Sequence, residues 1–394
     1  MKQRSVRPRR EFVWGAILIL ISMVVPIFAV DLVARFVFDY RAPHDPPGIF
    51  NEFDPITGWS KKPNWEGYAY LYLDGTKRYI RNNSHGFTDR ERDLQKSKPR
   101  IALIGDSTTE FWEAEEQDRG QFLMEKALDN TWEVLNMGVR GFSTDQAYLL
   151  LKYRAMEFSP DIVVYTFCIN DIYGNRNDFG RIKPYFEFAS DGSKTLVLRD
   201  FPYPFTERVE AEKDTKKKPS LLSRIDKVLL DYSFVYRRAS MLFASRDPLG
   251  LYRHLPLEQQ LELRPYKKVY NAEDEKRLAL LLALIEKMKA FLDQKQVRFL
   301  LVEGVYGNVL DPKRMAWSVE KYGDVFDFGK VTRLLKEFAE QKGIAFLSVQ
   351  EQVKDRGITI TDIMHPQDYV HLNASGIRLY SSLVLEKLKS LGWI

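Results

Sequence analysis

Apolar residues recur along this chain in more than one rhythm. Val13 to Val30 is an unbroken run of 18 residues without a charge. As a helix it spans about 27 Å, close to the hydrocarbon thickness of a bilayer. It predicts one membrane-spanning anchor, placed with its flank at 13–38, with Pro26 as a kink near its end. From Arg100 the rhythm changes. Ile101–Gly105, Glu133–Met137, Asp161–Phe167, Arg298–Glu303 and Ile344–Ser348 are short apolar stretches. They read as strands buried on both faces. Helical periodicity falls on Gln121–Leu128, Thr144–Phe158, Glu273–Leu292, Lys330–Gln341 and Gly376–Leu391. Five such strands alternating with amphipathic helices predict an α/β fold, a parallel sheet covered on both sides.

Two stretches break the alternation. Residues 39–99 are rich in Pro, Gly, Asn, Asp and aromatics, and read as an irregular, partly β lead-in, with Tyr68–Leu73 as a short strand. Residues 172–270 form a long insertion between the third and fourth strands. Within it, Tyr185–Leu198 reads as a hairpin around Asp191-Gly192, a pair suited to a tight turn. Glu212–Lys218 is a charged loop. Ser220–Ala244 is an amphipathic helix whose apolar face packs on the core or on a membrane or partner. Tyr185, Phe186, Tyr203 and Phe205 are either packing residues or a wall for stacking sugars.

Charge refines the picture at the N-terminus. Net charge is +5. Lys2, Arg4, Arg7, Arg9 and Arg10 against Glu11 place +4 of it in the first eleven residues. The remaining +1 leaves no basic footprint for nucleic acid. A basic tail at 1–12 before an apolar run orients the tail to the cytoplasm and the rest outside. A cleaved signal peptide fits less well, because no A-x-A-like site follows the run. The single cysteine, Cys168, excludes an intrachain disulfide, and metal-binding Cys/His spacings are absent.

Four short stretches carry candidate chemistry, each after a strand or in the last loop. Gly105-Asp106-Ser107-Thr108 follows the first strand, at the carboxyl end of the sheet, where open α/β folds bind ligands. Taken alone it is also an ordinary strand-to-helix turn with a serine cap. Asn136 to Thr144 follows the second strand and contains Gly138 and Gly141, either of which can bring a backbone N–H close to a ligand. Cys168-Ile169-Asn170-Asp171 follows the third, and an Asn amide there serves as an oxyanion donor or as a turn cap. Asp368-Tyr369-Val370-His371 precedes the last helix. A carboxylate three residues before a histidine can orient the ring and stabilise its charged form.

In this order the four stretches resemble the SGNH (GDSL-type) hydrolase family, over roughly Arg100 to the C-terminus less the insertion. The resemblance implies a flavodoxin-like three-layer α/β/α fold at 100–394. It implies Ser107 as nucleophile, His371 as general base and Asp368 as the acid that orients it. The backbone N–H groups of Ser107 and Gly141 and the amide of Asn170 would form the oxyanion hole. Neither metal nor organic cofactor is implied.

The sequence departs from the family pattern at Thr108, where Leu is usual, and at Cys168, where Gly is common. Gly138 rivals Gly141. Asp362-Ile-Met-His365 repeats the Asp-x-x-His spacing, but only the second copy is followed by Leu-Asn-x-x-Gly and a helical pattern. The resemblance leads to a serine esterase acting outside the cytoplasm on ester-linked acyl groups of a surface glycan or lipid. Two alternatives stand beside it. One is an O-acyltransferase of a surface polysaccharide supplied by a membrane-bound acyl-donor partner, as in bacterial proteins of similar layout. The other is a non-catalytic glycan-binding scaffold.

Overall fold

The computed structural model describes residues 51–70, 77–176, 183–199, 263–365 and 368–394, together with 14, 15, 18, 22, 25–33, 233, 235 and 257. The chain divides into two units. The first takes in Met1–Asp45, Ala69–Lys77 and Asp214–His254, and the second the remainder.

In the first unit, Trp14, Gly15, Leu18, Ser22 and residues 25–33 are helical. Trp14, Leu18, Val25, Ile27, Phe28 and Val30 are exposed there. The rest of the expected span lies outside the described residues. Among those described, no helix is long and apolar enough to cross a membrane. The predicted helix Ser220–Ala244 and loop Glu212–Lys218 also lie outside them, apart from Ser233 and Val235, as do Tyr203 and Phe205.

The second unit begins with the lead-in. Strands β1 (Asn51–Asp54) and β2 (Gly58–Lys61) form one antiparallel pair. Strands β3 (Glu66–Tyr70) and β4 (Lys77–Arg81), whose residues Ala69, Tyr70 and Lys77 are counted with the first unit, form another two-stranded sheet. Residues 71–73 of the strand expected at Tyr68–Leu73 fall outside the described residues.

The central sheet holds β5 (Arg100–Ile104), β6 (Glu133–Asn136), β7 (Ile162–Phe167), β10 (Arg298–Glu303) and β11 (Ala345–Ser348). All neighbours are parallel, in the order β11-β10-β7-β5-β6. Numbered in chain order and read from the β6 edge, this is the 2-1-3-4-5 order of flavodoxin-like folds. Alternate residues of each strand serve opposite cores. Ala102, Ile104, Val163, Tyr165 and Leu301 point to one. Ile101, Leu103, Val164, Leu300 and Val302 point to the other. Both faces are therefore buried, which is why these strands read as continuous apolar runs rather than as alternation.

The first face is covered by α3 (Thr144–Tyr153), α5 (Ala272–Gln294) and α7 (Lys330–Lys342). The second is covered by α2 (Gly120–Ala127), α8 (Val349–Asp355) and α10 (Ala374–Ser390). The expected helix Thr144–Phe158 ends earlier, because the chain leaves helical geometry at Arg154 and closes in a 3₁₀ turn at Ala155–Phe158. Helix α6 (Pro312–Tyr322), which buries only Ser318, was not foreseen.

The insertion hairpin pairs β8 (Tyr185–Phe188) with β9 (Leu196–Arg199). Its connection is longer than a two-residue turn. The Ala189 N–H donates to the Thr195 carbonyl, and Asp191 folds back to accept the Ser193 N–H at 2.8 Å. Phe186 is buried, edge-on to Tyr148 at 5.8 Å, and so packs in the core rather than facing a ligand.

Candidate active site

The strand order reverses between β5 and β7, and a crevice opens at the carboxyl ends of the strands flanking such a reversal. The connection after β5 carries Ser107, and that after β7 carries Asn170, at the start of a four-residue helix, α4 (Asp171–Gly174). Directly after β5, Asp106 caps a four-residue helix, α1 (Ser107–Glu110). Its Oδ1 accepts the N–H and the hydroxyl of Thr108, both at 2.8 Å. Ser107 is thus the first helical residue, and its backbone N–H has no acceptor within the helix.

The last loop meets this turn from α9 (Ile360–Ile363) and α10. An antiparallel bridge joins Met364 to Leu372. Asn373 caps α10 by accepting the N–H groups of Ser375 and Gly376 at 2.9 and 3.0 Å. Between these anchors, Asp368 Oδ1 accepts the N–H groups of Val370 and His371 at 2.8 and 3.1 Å. Asp368 Oδ2 lies 2.6 Å from His371 Nδ1, and His371 Nε2 lies 2.9 Å from Ser107 Oγ, across 264 residues of sequence. The three expected residues are therefore in a hydrogen-bonded line. His365 follows the bridged Met364 and lies beside His371, to whose carbonyl its N–H donates. The ring bonded to Ser107 is that of His371.

The electrostatics follow from burial and neighbouring charge. Burial pulls the His371 imidazole down, but the carboxylates of Glu113 and Asp368 outweigh it and hold it at about 9. Burial pushes the Asp368 carboxyl up, yet the His371 bond and charge leave it below its ordinary value. Cys168, buried beside the site, is raised well above the usual thiol value by burial and by Asp106. Such a thiol is not a poised nucleophile.

The candidate oxyanion donors sit in two loops. The Asn170 amide donates one N–H to Asp106 Oδ2 at 3.2 Å. An amide nitrogen carries two hydrogens, so one is left for an oxyanion. The rival glycines differ in environment. Gly138 is packed against α1: a Cβ there would lie 2.5 Å from the Glu110 nitrogen and 2.7 Å from the Thr109 carbonyl carbon. Gly141 is half-buried at φ +77°, a conformation that L side chains rarely adopt. Gly138 is thus bound to packing, and Gly141 to the turn that shapes the loop.

Several residues that build the site were not singled out from sequence. Glu110 and Lys61 form a wholly buried ion pair at 2.5 Å. Glu110 Oε2 also accepts the Arg140 N–H at 2.9 Å. Trp59 Nε1 donates to the Arg140 carbonyl at 3.1 Å. The lead-in thereby holds both the helix carrying Ser107 and the loop carrying Gly141. Glu113, 3% exposed, lies 3.8 Å from His371 Nε2. A buried Lys at the end of β2 and a carboxylate three residues after Ser107 were the available signals.

Among known proteins, no family model matches this chain, and no curated protein does. Solved structures are similar in part. One is a catalytic mutant of an acetylxylan esterase from Geobacillus stearothermophilus, with 13% identity over 75% of this chain and 96% of that one, at a TM-score of 0.37. A second is an acetyl xylan esterase with 14% identity, covering 73% and 98%, at 0.37. A third is a G-D-S-L family protein from Desulfitobacterium hafniense with 10% identity, covering 74% and 100%, at 0.35. At these values the chemistry is read from the line Ser107–His371–Asp368 itself.

Proposed function

We propose that this chain is an SGNH-type serine esterase that removes ester-linked acyl groups through a Ser107 acyl-enzyme. The observation that carries this reading is the unbroken line of bonds from Ser107 Oγ through His371 to Asp368. In the reaction, Ser107 Oγ attacks the ester carbonyl carbon as His371 Nε2 takes its proton. Asp368 holds the ring by Nδ1 and stabilises the imidazolium. Negative charge on the carbonyl oxygen is met by the backbone N–H groups of Ser107 and Gly141 and by the Asn170 amide. The carbon–oxygen bond to the alcohol then breaks, and the leaving oxygen takes the proton from Nε2. Water, giving a proton to His371 Nε2, attacks the acyl carbon; the bond to Ser107 Oγ then breaks, Oγ takes that proton back, and the acid leaves.

A location outside the cytoplasm and one N-terminal anchor belong to the same proposal. They are supported by the uncharged run Val13–Val30 behind a basic tail, and by exposed Trp14, Leu18 and Phe28 at its described helical positions. The substrate class that fits is an O-acylated surface glycan.

The test compares hydrolysis of p-nitrophenyl acetate by the full-length protein and by Ser107→Ala, with circular dichroism to confirm that both are folded. The account predicts turnover that disappears only in the variant. Unchanged turnover in Ser107→Ala would remove the residue from the chemistry.

A further inference from the structure

Glu113 is not needed for the serine mechanism, yet it is built into the site. It follows α1 by three residues and is 3% exposed. Its Oε1 is buried and accepts no hydrogen bond among the described residues. Removing a carboxylate from water without a partner is costly. The nearest cations are His371, at 3.8 Å from Nε2, and Arg140, at 3.9 Å from Nη2. The Arg140 guanidinium also lies 4.1 Å above the Trp112 ring. The His371 nitrogen facing Glu113 is the same one that faces Ser107 Oγ.

That geometry gives Nε2 two occupations. In the neutral ring, with the hydrogen on Nδ1 toward Asp368, Nε2 has a lone pair and accepts the Ser107 hydroxyl. In the charged ring, Nε2 carries a hydrogen and has two acceptors, a neutral hydroxyl and a carboxylate. The carboxylate is the stronger one, and an approach of about 1 Å would bring it to the length of a charge-assisted bond. We propose that Glu113 is a positioning residue for His371: it clamps the protonated imidazole through Nε2, in competition with Ser107, and so sets the proton affinity of the general base. The proposal rests on the reading of Ser107 as nucleophile and His371 as base.

The surrounding charges agree with this assignment. His371 is faced by Asp368 from its own loop, by Asp106 and Ser107 from the turn after β5, and by Glu113 from the segment after α1. Glu113 is faced by His371, by Arg140 from the connection after β6, by Glu110 of α1, and at longer range by the buried Arg119 just before α2. Among the neighbouring charges, that of Glu113 raises His371 more than the charge of Asp368 or of Asp106 does; Asp368 adds its hydrogen bond. Burial pushes the Glu113 carboxyl itself up, against the pull of His371 and Arg140. While Glu113 is ionised and the His371 ring is charged, the free enzyme holds a carboxylate–imidazolium pair. The base becomes available as that pair gives up its proton.

The test follows the imidazole resonances of the full-length protein labelled with nitrogen-15 at histidine. The chain has five histidines, and His371→Gln assigns the signal. Wild type is expected to titrate near 9. Glu113→Gln keeps the shape and removes the charge, and should move the His371 midpoint down by about 1 or more on the pH scale. Glu113→Asp should fall between the two. The acid limb of kcat/KM for p-nitrophenyl acetate should move by the same amount. A His371 midpoint unmoved in Glu113→Gln overturns the proposal, whether or not the protein hydrolyses esters. A midpoint that moves while the kcat/KM limb stays fixed overturns the claim that Glu113 sets the base. A midpoint that moves in a protein lacking ester turnover supports the clamp and sinks the esterase reading instead.

Discussion

Lys61 and Glu110 connect the lead-in to the nucleophile turn, and their pair gives a sharp prediction. Their side chains are 1% and 0% exposed, and the charged atoms are 2.5 Å apart. With an effective dielectric near 20, attraction at that distance is about 7 kcal/mol. Desolvating two ions costs several kcal/mol each, so the pair as a whole adds little net stability. Breaking it is another matter. Lys61→Met removes the cation and leaves Glu110 buried, with one oxygen on the Arg140 N–H and only the more distant Arg119 to balance its charge. The expected loss is about 3–5 kcal/mol, a large share of the roughly 5–15 kcal/mol that holds a domain together. Adding Glu110→Gln removes the stranded charge and keeps an acceptor for Arg140, so the double variant should recover much of the loss. Urea unfolding of wild type, both single variants and the double variant closes the cycle. A Lys61→Met loss below about 1 kcal/mol, the value of an exposed pair, would refute the reasoning. So would a double variant no more stable than Lys61→Met.

The remaining predictions concern the site. Asn170→Ala should stay folded and lose about 10²–10³ in rate, the usual effect of one oxyanion donor; an unchanged rate in the p-nitrophenyl acetate assay would remove Asn170 from the mechanism. Asp368→Asn should lose about 10⁴ in kcat, because the amide favours the wrong ring tautomer; stopped-flow kinetics showing a loss under tenfold would contradict that role. Gly138→Ala should destabilise the fold by about 1–3 kcal/mol or more, since the added carbon meets backbone rather than a movable side chain; thermal melting reads this directly. The folded protein binds the His371 proton more tightly than the unfolded chain does, so that contribution is full below about 6.5 and is lost as pH rises through about 9. Its size is on the order of 3 kcal/mol, read as the stability of wild type minus that of His371→Gln on either side of that interval. The Asp368 contribution runs the other way: it is present above the ordinary carboxylate range and is lost as pH falls through its lowered value.

Much of the second unit was legible because local and global signals agreed. Strand Arg298–Glu303 is continuous in apolar residues since both its faces are covered, and its boundaries match the observed strand. The site residues were legible for a related reason. Ser107 and Asn170 follow strand ends, and Gly141, Asp368 and His371 lie a few residues before helix caps, so spacing from those landmarks points to them. What the sequence hid depends on pairing across distance. No periodicity joins Lys61 to Glu110, or Glu113 to His371, because those contacts arise only when the last loop and the lead-in fold onto one turn. Helix α6 was missed because its core-facing side is thin: it fully buries only Ser318, while Trp317 and Tyr322 pack on the core half-buried. The hairpin at Tyr185 was found but its turn was misread, since Asp191-Gly192 forms part of a longer Asx-stabilised loop.

The central claim is that Ser107 becomes acylated. The most direct measurement is mass spectrometry of the full-length protein quenched in acid during turnover of p-nitrophenyl acetate, followed by peptide mapping. The account predicts an acetyl group on the peptide containing Ser107, absent in Ser107→Ala and accumulating when Asn170 or Asp368 is altered to slow deacylation. An acetyl group on another residue, or turnover with no acylated Ser107 under any of these conditions, would contradict it.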